Sequence, residues 1–353
     1  MLGHNTVIGE VATRLCSPEG GHGMHSTGQK SARWTKTEFD LKYEIGDIGI
    51  FVKTFRGVVC SSHFLDFSER EVLESPSRVL EEHGVQAAQI TSCQISKDLK
   101  KLSVRDGVIV YCVSTYNHRY VDTRQRFEEY QDKFKSKTRA TLKKKVNKVL
   151  RDDQPKNVFR KFKTAQEIET FLKLAAVVSA KTYQHRLFNR GIPDNSEFCV
   201  HARKQAELGL VRGYLLYIDD KPVAYTYVPT VNEGILLYDY NGYDPGCSKL
   251  SPGTVLQFKI IEDLCSDPEV MIYDLCTGED DAKTLFSTDS KYCADILVLR
   301  KSLKNIIIIM FHAAITSFSK ALGRFLNRLN LKNRLKRYIR KNARTIESSQ
   351  VEA

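Results

Sequence analysis

Two carboxylates and one helix start are the residues best placed to do chemistry. Asp274 lies inside MIYDLC (Met271–Cys276), an otherwise apolar run. A carboxylate in a buried strand costs free energy unless it is paired or used. Lys283 follows Glu279 by four residues, so the two share a helix face if the segment is helical. An Asp274–Lys283 ion pair holding the loop is as good a reading as a catalytic one. Asp239 and Tyr240 end the strand ILLYDYNGY, where a sheet presents residues to a cleft. Ser251-Pro252-Gly253-Thr254 then reads as an N-cap serine with proline at the first helical position. The first turn of a helix has unpaired N–H groups and partial positive charge, which suit a phosphate. Gly253 lets such a group approach the backbone closely. Composition alone also fits an ordinary capped helix. Tyr183, His185 and Arg186 carry a weaker signal. P-loop, G-x-S-x-G and H-E-x-x-H motifs are absent from the sequence, which disfavours a P-loop hydrolase, an elbow-type serine hydrolase and a zincin.

The partners of these residues are constrained by composition. With 353 residues, 42% of them hydrophobic and 27% charged, the chain reads as globular, with two domains or one large double fold. Its net charge of +12 is unevenly spread. Residues 133–163 hold 13 Lys/Arg against two acids, and residues 300–344 hold 13 Lys/Arg and no acid, leaving −12 on the remainder. An acidic body with two basic stretches points to phosphate-bearing partners: a nucleotide cofactor, anionic lipid or RNA. The bland alternative is two solvated helix faces. Nine cysteines form no C-x-x-C, and several, such as Cys112 and Cys276, sit in apolar runs. They read as small buried hydrophobes in a reducing compartment, and no metal is expected. No signal peptide is evident. The longest apolar run, Ile306–Phe311 extended to Ile315, falls short of the roughly 20 residues that span a bilayer. The expected location is cytoplasmic, at most peripheral to a membrane.

The elements that would position the chemistry follow from periodicity. Residues 1–36 read as a leader. Strands are expected at Gly49–Phe55, Gln86–Cys93 and Gly107–Thr115, with a helical stretch before Gly84 broken or kinked at Pro76. A long basic helix is expected from about Arg124 to Arg151, and another from Ala165 to Ala180. Residues 209–240 read as a three-stranded antiparallel meander turning at Asp219-Asp220-Lys221 and Asn232-Glu233-Gly234. The helix TVLQFKIIEDLC, the strand Met271–Cys276, a short helix and the strand Cys293–Leu299 follow. Residues 302–344 form a basic helical tail. It reads as a helix pair capping the acidic body, with an amphipathic membrane-surface segment as the other reading.

Four blocks recur in the order of a known family: SKTRATLKKKVNKVL (Ser136–Leu150), DDKPVAYTYV, GYDPGCSKLSPGTVLQFKIIEDL (Gly242–Leu264) and YDLCTGEDDAKTLF (Tyr273–Phe286). Together they resemble the CelD-like branch of the GNAT acyltransferase superfamily, related to FemAB-type peptidyltransferases. The resemblance covers about Lys133 to Leu299, and the first half more loosely. It implies an α/β fold with a mixed sheet in two GNAT-like halves. The implied boundaries are 37–122 and 123–300, with the helical tail at 301–353. It implies that one strand splays from its neighbour and that acyl-CoA lies in the gap. Ser251, Pro252, Gly253 and Thr254 would then cradle the pyrophosphate, while Tyr238, Asp239 and Tyr240 would line the pantetheine and thioester. Asp274 and Lys283 match the family's D…K element at the acceptor pocket, with Glu279 and Tyr183 as further acceptor contacts. The general base would be Asp239 or Asp274. Two features depart from the family: the Q/R-x-x-G-x-G/A phosphate motif is absent, and Ala282 stands where relatives often carry an aromatic residue.

The implied reaction is N-acylation of a small-molecule amine, on an amino sugar or amino acid of an envelope or exopolysaccharide pathway. The donor would be acyl-CoA or an acyl carrier protein. The alternatives are a transferase using aminoacyl-tRNA, which the basic helix would suit, and a non-catalytic scaffold at an anionic membrane surface.

Overall fold

A computed structural model describes residues 34–328, except 47, 61, 66, 68, 69, 71, 72, 152–155, 183–190 and 279. The first half of the chain holds β1 (Trp34–Ile45), β2 (Ile48–Cys60), α1 (Pro76–Glu82), β3 (Ala87–Gln94), β4 (Leu102–Arg105) and β5 (Val108–Asp122). Next come α2 (Phe127–Asp132), α3 (Ser136–Val149), β6 (Phe159–Phe162), α4 (Ala165–Ala180), α5 (Ser196–Glu207), β7 (Val211–Ile218) and β8 (Lys221–Asn232). The last third holds β9 (Ile235–Leu237), β10 (Asn241–Tyr243), a 3-10 turn (Pro245–Leu250), α6 (Pro252–Cys265), β11 (Ile272–Asp274), α7 (Asp281–Phe286), β12 (Asp289–Arg300) and α8 (Leu303–Arg328).

All the strands join one mixed sheet in the order β1-β2-β3-β12-β5-β11-β9-β8-β7-β6, with β4 on β5 and β10 on β8. The expected mixed-sheet α/β fold is therefore present. Among the described residues only β2–β3 and β9–β11 pair in parallel. Strand β5 pairs antiparallel with β11, where Asp274 opposes Tyr120. The last strand, β12, returns to the first half and lies between β3 and β5.

Helices cover both faces of the sheet. On the second half, Tyr130, Phe134, Leu142 and Val149 from α2 and α3 meet the buried side of α6 over β7, β8 and β11. Phe171 and Ala175 of α4 and Phe198 and Ala202 of α5 fill the opposite face. On the first half, Leu80 of α1 and Ile309 of α8 lie in separate clusters.

Several elements differ from expectation for identifiable reasons. The basic helix is two helices, α2 and α3, broken at Lys133–Lys135. No apolar residue other than Ala140 lies between Phe134 and Leu142, so nothing holds one straight helix on the core. The break turns Phe134 inward, and the Lys133 ammonium sits 5.0 and 4.9 Å from the Tyr130 and Phe134 ring centroids. Pro76 starts α1 instead of interrupting it, since its missing N–H is harmless at the first helical position. Strand β1 begins at Trp34, and α5 carries no counterpart in the periodicity reading.

Candidate functional site

The strand read as ILLYDYNGY is two strands, and the interruption builds the site. Leu237 pairs with Asp274 in the parallel β9–β11 ladder. One further bond, from Tyr238 N–H to the Asp274 carbonyl at 2.8 Å, closes that ladder. Beyond it the chains part. Leu275 N–H donates to Arg119 O at 3.0 Å, toward β5, whereas Asp239 N–H donates to Tyr227 O at 3.3 Å, toward β8. Tyr227 N–H also donates to Tyr240 O at 2.7 Å. Residues 238–240 thus form an irregular step before β10 resumes pairing with Ala224–Thr226. Gly242 is required there, because a Cβ would lie 2.7 Å from Tyr225 Cε1 and 2.9 Å from Thr182 Cγ2.

Asp239 stands at this fork. It is half-buried, and desolvation pushes its carboxyl up to about 7. Among the described residues no side chain hydrogen-bonds that carboxylate. Tyr238 meets the Tyr273 ring edge-on at 6.0 Å, and burial raises its hydroxyl above the ordinary range. Tyr240 turns the other way, against Phe198 and Tyr227.

The 3-10 turn brings the chain from β10 to α6. Asp244 starts it by accepting from Gly246 N–H at 2.8 Å and pairs with Lys181 at 3.0 Å. Ser251 occupies the N-cap position of α6, as expected, but at φ 52° it is left-handed and its hydroxyl makes no capping bond. That conformation costs a non-glycine residue about 1–2 kcal/mol. Pro252 is buried at the first helical position. The first helical bond runs from Val255 N–H to Ser251 O at 3.1 Å, so the Gly253 and Thr254 N–H groups precede it. A Cβ on Gly253 would meet only Tyr243 Cδ1, at 3.5 Å, so this helix start is uncrowded.

Asp274 is buried and clamped. Oδ1 accepts from His118 Nε2 at 2.6 Å and Cys276 N–H at 2.6 Å, and Oδ2 lies 2.9 Å from His63 Nε2. Burial alone would raise this carboxyl. The charge and hydrogen bond of His118, followed by His63, outweigh burial and hold it well below the usual carboxylate range.

The clamp continues across the first half. His118 Nδ1 lies 3.1 Å from Ser92 Oγ, Ser92 Oγ lies 2.9 Å from the Tyr116 hydroxyl, and Tyr116 donates to Asp295 Oδ1 at 2.7 Å. Asp295 also accepts from Ser114 Oγ and Ser92 N–H. The four contacts from Asp274 to Asp295 need four hydrogens if both ends are carboxylates. Ser92 and Tyr116 supply one each, so His118 fills the chain only when it carries both ring protons.

The expected Asp274–Lys283 pair is not formed, because the two histidines take the carboxylate. Lys283 is buried and donates to Thr277 O at 2.5 Å, while its backbone N–H is capped by Asp280. Desolvation lowers its ammonium, opposed by Cys276, Asp280 and Asp274. Glu279, Tyr183, His185 and Arg186 lie outside the described residues.

The geometry places Tyr238 and Asp239 where the ladder opens, with Asp274 at the end of the facing strand β11, and the start of α6 follows β10 and the 3-10 turn, with Gly253 near Tyr243. It sends Tyr240 toward α4 and α5. Sequence reasoning missed His63, His118 and Asp295. Asp295 had the same signal that marked Asp274, a carboxylate within the apolar run CADILVL. For His118, the two-residue period of β5 puts it on one face with Ser114 and Tyr116, a polar row inside a sheet.

Residues 136–284 match the family model of the acetyltransferase (GNAT) domain. No curated protein matches the chain. Among solved structures, a C-terminal domain assigned to a lysylphosphatidylglycerol synthetase of Agrobacterium fabrum is 14% identical, covering 73% of this chain and 84% of that one at a TM-score of 0.45. FemX is 8% identical, with 75% and 88% covered and a TM-score of 0.44. A GCN5-related N-acetyltransferase from Kribbella flavida is 12% identical, with 86% and 99% covered and a TM-score of 0.33.

Proposed function

We propose that this enzyme moves an acyl group from acyl-CoA to an amine of an amino sugar or amino acid, a reading supported by the match of residues 136–284 to the acetyltransferase (GNAT) domain model. Acceptor class and an envelope or exopolysaccharide pathway follow the resemblance of Gly242–Leu264 and Tyr273–Phe286 to the CelD-like branch. One observation carries the reading: the β9–β11 ladder opens at Tyr238, where the Asp239 carboxyl is raised to about 7.

In this reading the thioester lies in the fork, with its phosphates at the N–H groups of Gly253 and Thr254. The acceptor amine attacks the thioester carbonyl, the C–N bond forms, the C–S bond breaks, and the thiolate leaves. Asp239 takes the amine proton, a role suited to a group that titrates near neutrality. Asp274 is a poor base for that task, because His118 and His63 hold its carboxyl well below the usual range; it fixes Cys276 N–H and the two histidines beside the acceptor side. Lys283 holds the loop that follows. An acyl carrier protein could present the same thioester.

Calorimetric titration with acetyl-CoA and longer acyl-CoAs tests the donor site, with Gly253→Asp as its control. The wild type should bind, and the added carboxylate should weaken binding at least about tenfold by repelling the phosphates. No binding to any acyl-CoA would overturn the proposal. A second reading, aminoacyl-tRNA as donor, draws support from the exposed Lys137, Lys143, Lys144 and Lys148 of α3. It expects tRNA binding that falls steeply with salt.

A further inference from the structure

We propose that the outward face of α8, joined by Phe51 of β2, lies in the plane of an anionic lipid surface. Helix α8 is apolar on two opposite sides, and the sheet covers only one. On the inner side, Ile309 is buried, His312 Nδ1 lies 2.8 Å from the Tyr111 hydroxyl, and Tyr43 donates to Ile308 O at 3.1 Å. Gly46 N–H, at the tip of the β1–β2 hairpin, donates to Ser319 Oγ at 2.9 Å. On the outer side, Leu303 is 74% exposed, Ile307 59%, Met310 62%, Phe318 58% and Phe325 59%. With about 3.6 residues per turn these form one stripe along the helix. The stripe widens where Phe311 stacks on the exposed Phe51 at 5.9 Å. A contiguous apolar surface on two elements is more than the scattered exposure a globular protein carries.

Charge selects the occupant. The exposed Lys304 lies on one margin of the stripe, and Lys320 and Arg324 on the other. The sequence from Arg300 to Arg344 has 13 Lys/Arg and no acid. Two copies meeting through this face would bring like charges together, whereas an anionic bilayer offers hydrocarbon to the stripe and phosphates to its margins. The expectation that no apolar stretch approaches spanning length needs correction: Leu303–Phe325 is long and apolar enough to cross a bilayer. Spanning would, however, strip the helix from Tyr43, Gly46 and Tyr111 and expose the sheet beneath. The docked inner face assigns α8 to the interface instead. This inference does not depend on which acyl donor or acceptor the enzyme uses.

The test uses the full chain, because removing α8 would uncover the sheet. Co-sedimentation is measured with phosphatidylcholine vesicles, with and without phosphatidylglycerol. The wild type should bind the phosphatidylglycerol vesicles, and added salt should weaken the binding without abolishing it. The variant Ile307→Ser, Met310→Ser, Phe318→Ser changes only exposed positions, which an unchanged melting temperature would verify. It should bind at least about tenfold more weakly. Lys304→Glu, Lys320→Glu, Arg324→Glu should remove the preference for phosphatidylglycerol. Absence of binding, or equal binding by the triple serine variant, would overturn the proposal. So would bound protein that resists alkaline extraction, which marks a spanning helix. A concentration-dependent dimer abolished by the serine variant would overturn it in favour of a second copy.

Discussion

Asp239, in the step after β9, and Asp274, at the end of β11, flank the point where the ladder opens, yet their surroundings drive them in opposite directions. Asp239 loses water and gains no partner among the described residues, so its carboxyl rises to about 7. Asp274 loses more water but gains His118, His63 and Cys276 N–H, and it stays ionised far into acid. The difference teaches that burial alone does not set a carboxylate's role. Desolvation without a partner makes a proton acceptor poised near neutrality. Desolvation with two imidazoles makes a fixed charge. Neighbouring carboxylates with separated titrations are the pattern of divided acid–base labour.

The comparison breaks most visibly at Asp239. Asp239→Asn should lower kcat/KM for acyl transfer by roughly 10²–10⁴-fold while leaving acyl-CoA affinity unchanged. Transfer within a few-fold of wild type would assign the base elsewhere. The stability effects should then differ in sign. Asp274→Ala leaves the clamping groups without their anion and should cost about 3–5 kcal/mol in denaturant unfolding. Asp239→Asn should raise stability at neutral pH, because it removes a desolvated charge. Two variants that destabilise equally would erase the distinction. Ser92→Ala sharpens the account at smaller scale. It interrupts the line from His118 to Tyr116 and should cost about 1–2 kcal/mol. It should leave the rise of rate with pH in place, since Asp239 does not touch that line.

Much of the frame was legible in the sequence. The meander β7–β8–β9, α4 and α6 follow from period and turn chemistry, because their apolar positions face one core each. Long-range pairing was not legible. That β12 inserts between β3 and β5 depends on contacts across nearly the whole chain, for which a local pattern carries no signal. The break at Tyr238–Tyr240 was hidden for another reason. Leu237, Tyr238 and Tyr240 continue the strand composition, and only the competing pulls of β8 and β11 divide it. At the site, Asp274 announced itself as a charge in an apolar run, but its partners did not. His63 lies 211 residues away and His118 lies 156 residues away, so a nearby lysine looked like the natural counter-ion. Lys283 is buried close by, yet its ammonium is spent on the Thr277 carbonyl.

The most direct test compares the unfolding free energies of wild type and Asp239→Asn across pH. A carboxyl at about 7 in the folded chain and near 3.8 when unfolded makes the folded state hold the extra proton between those values. Wild-type stability then falls, relative to the asparagine variant, as pH rises through that window. The account predicts an advantage for Asp239→Asn that is small below the window, grows across it and levels off above about 7. A flat difference, or an advantage that shrinks as pH rises, would show that folding does not raise the Asp239 carboxyl and would remove it as the proposed base.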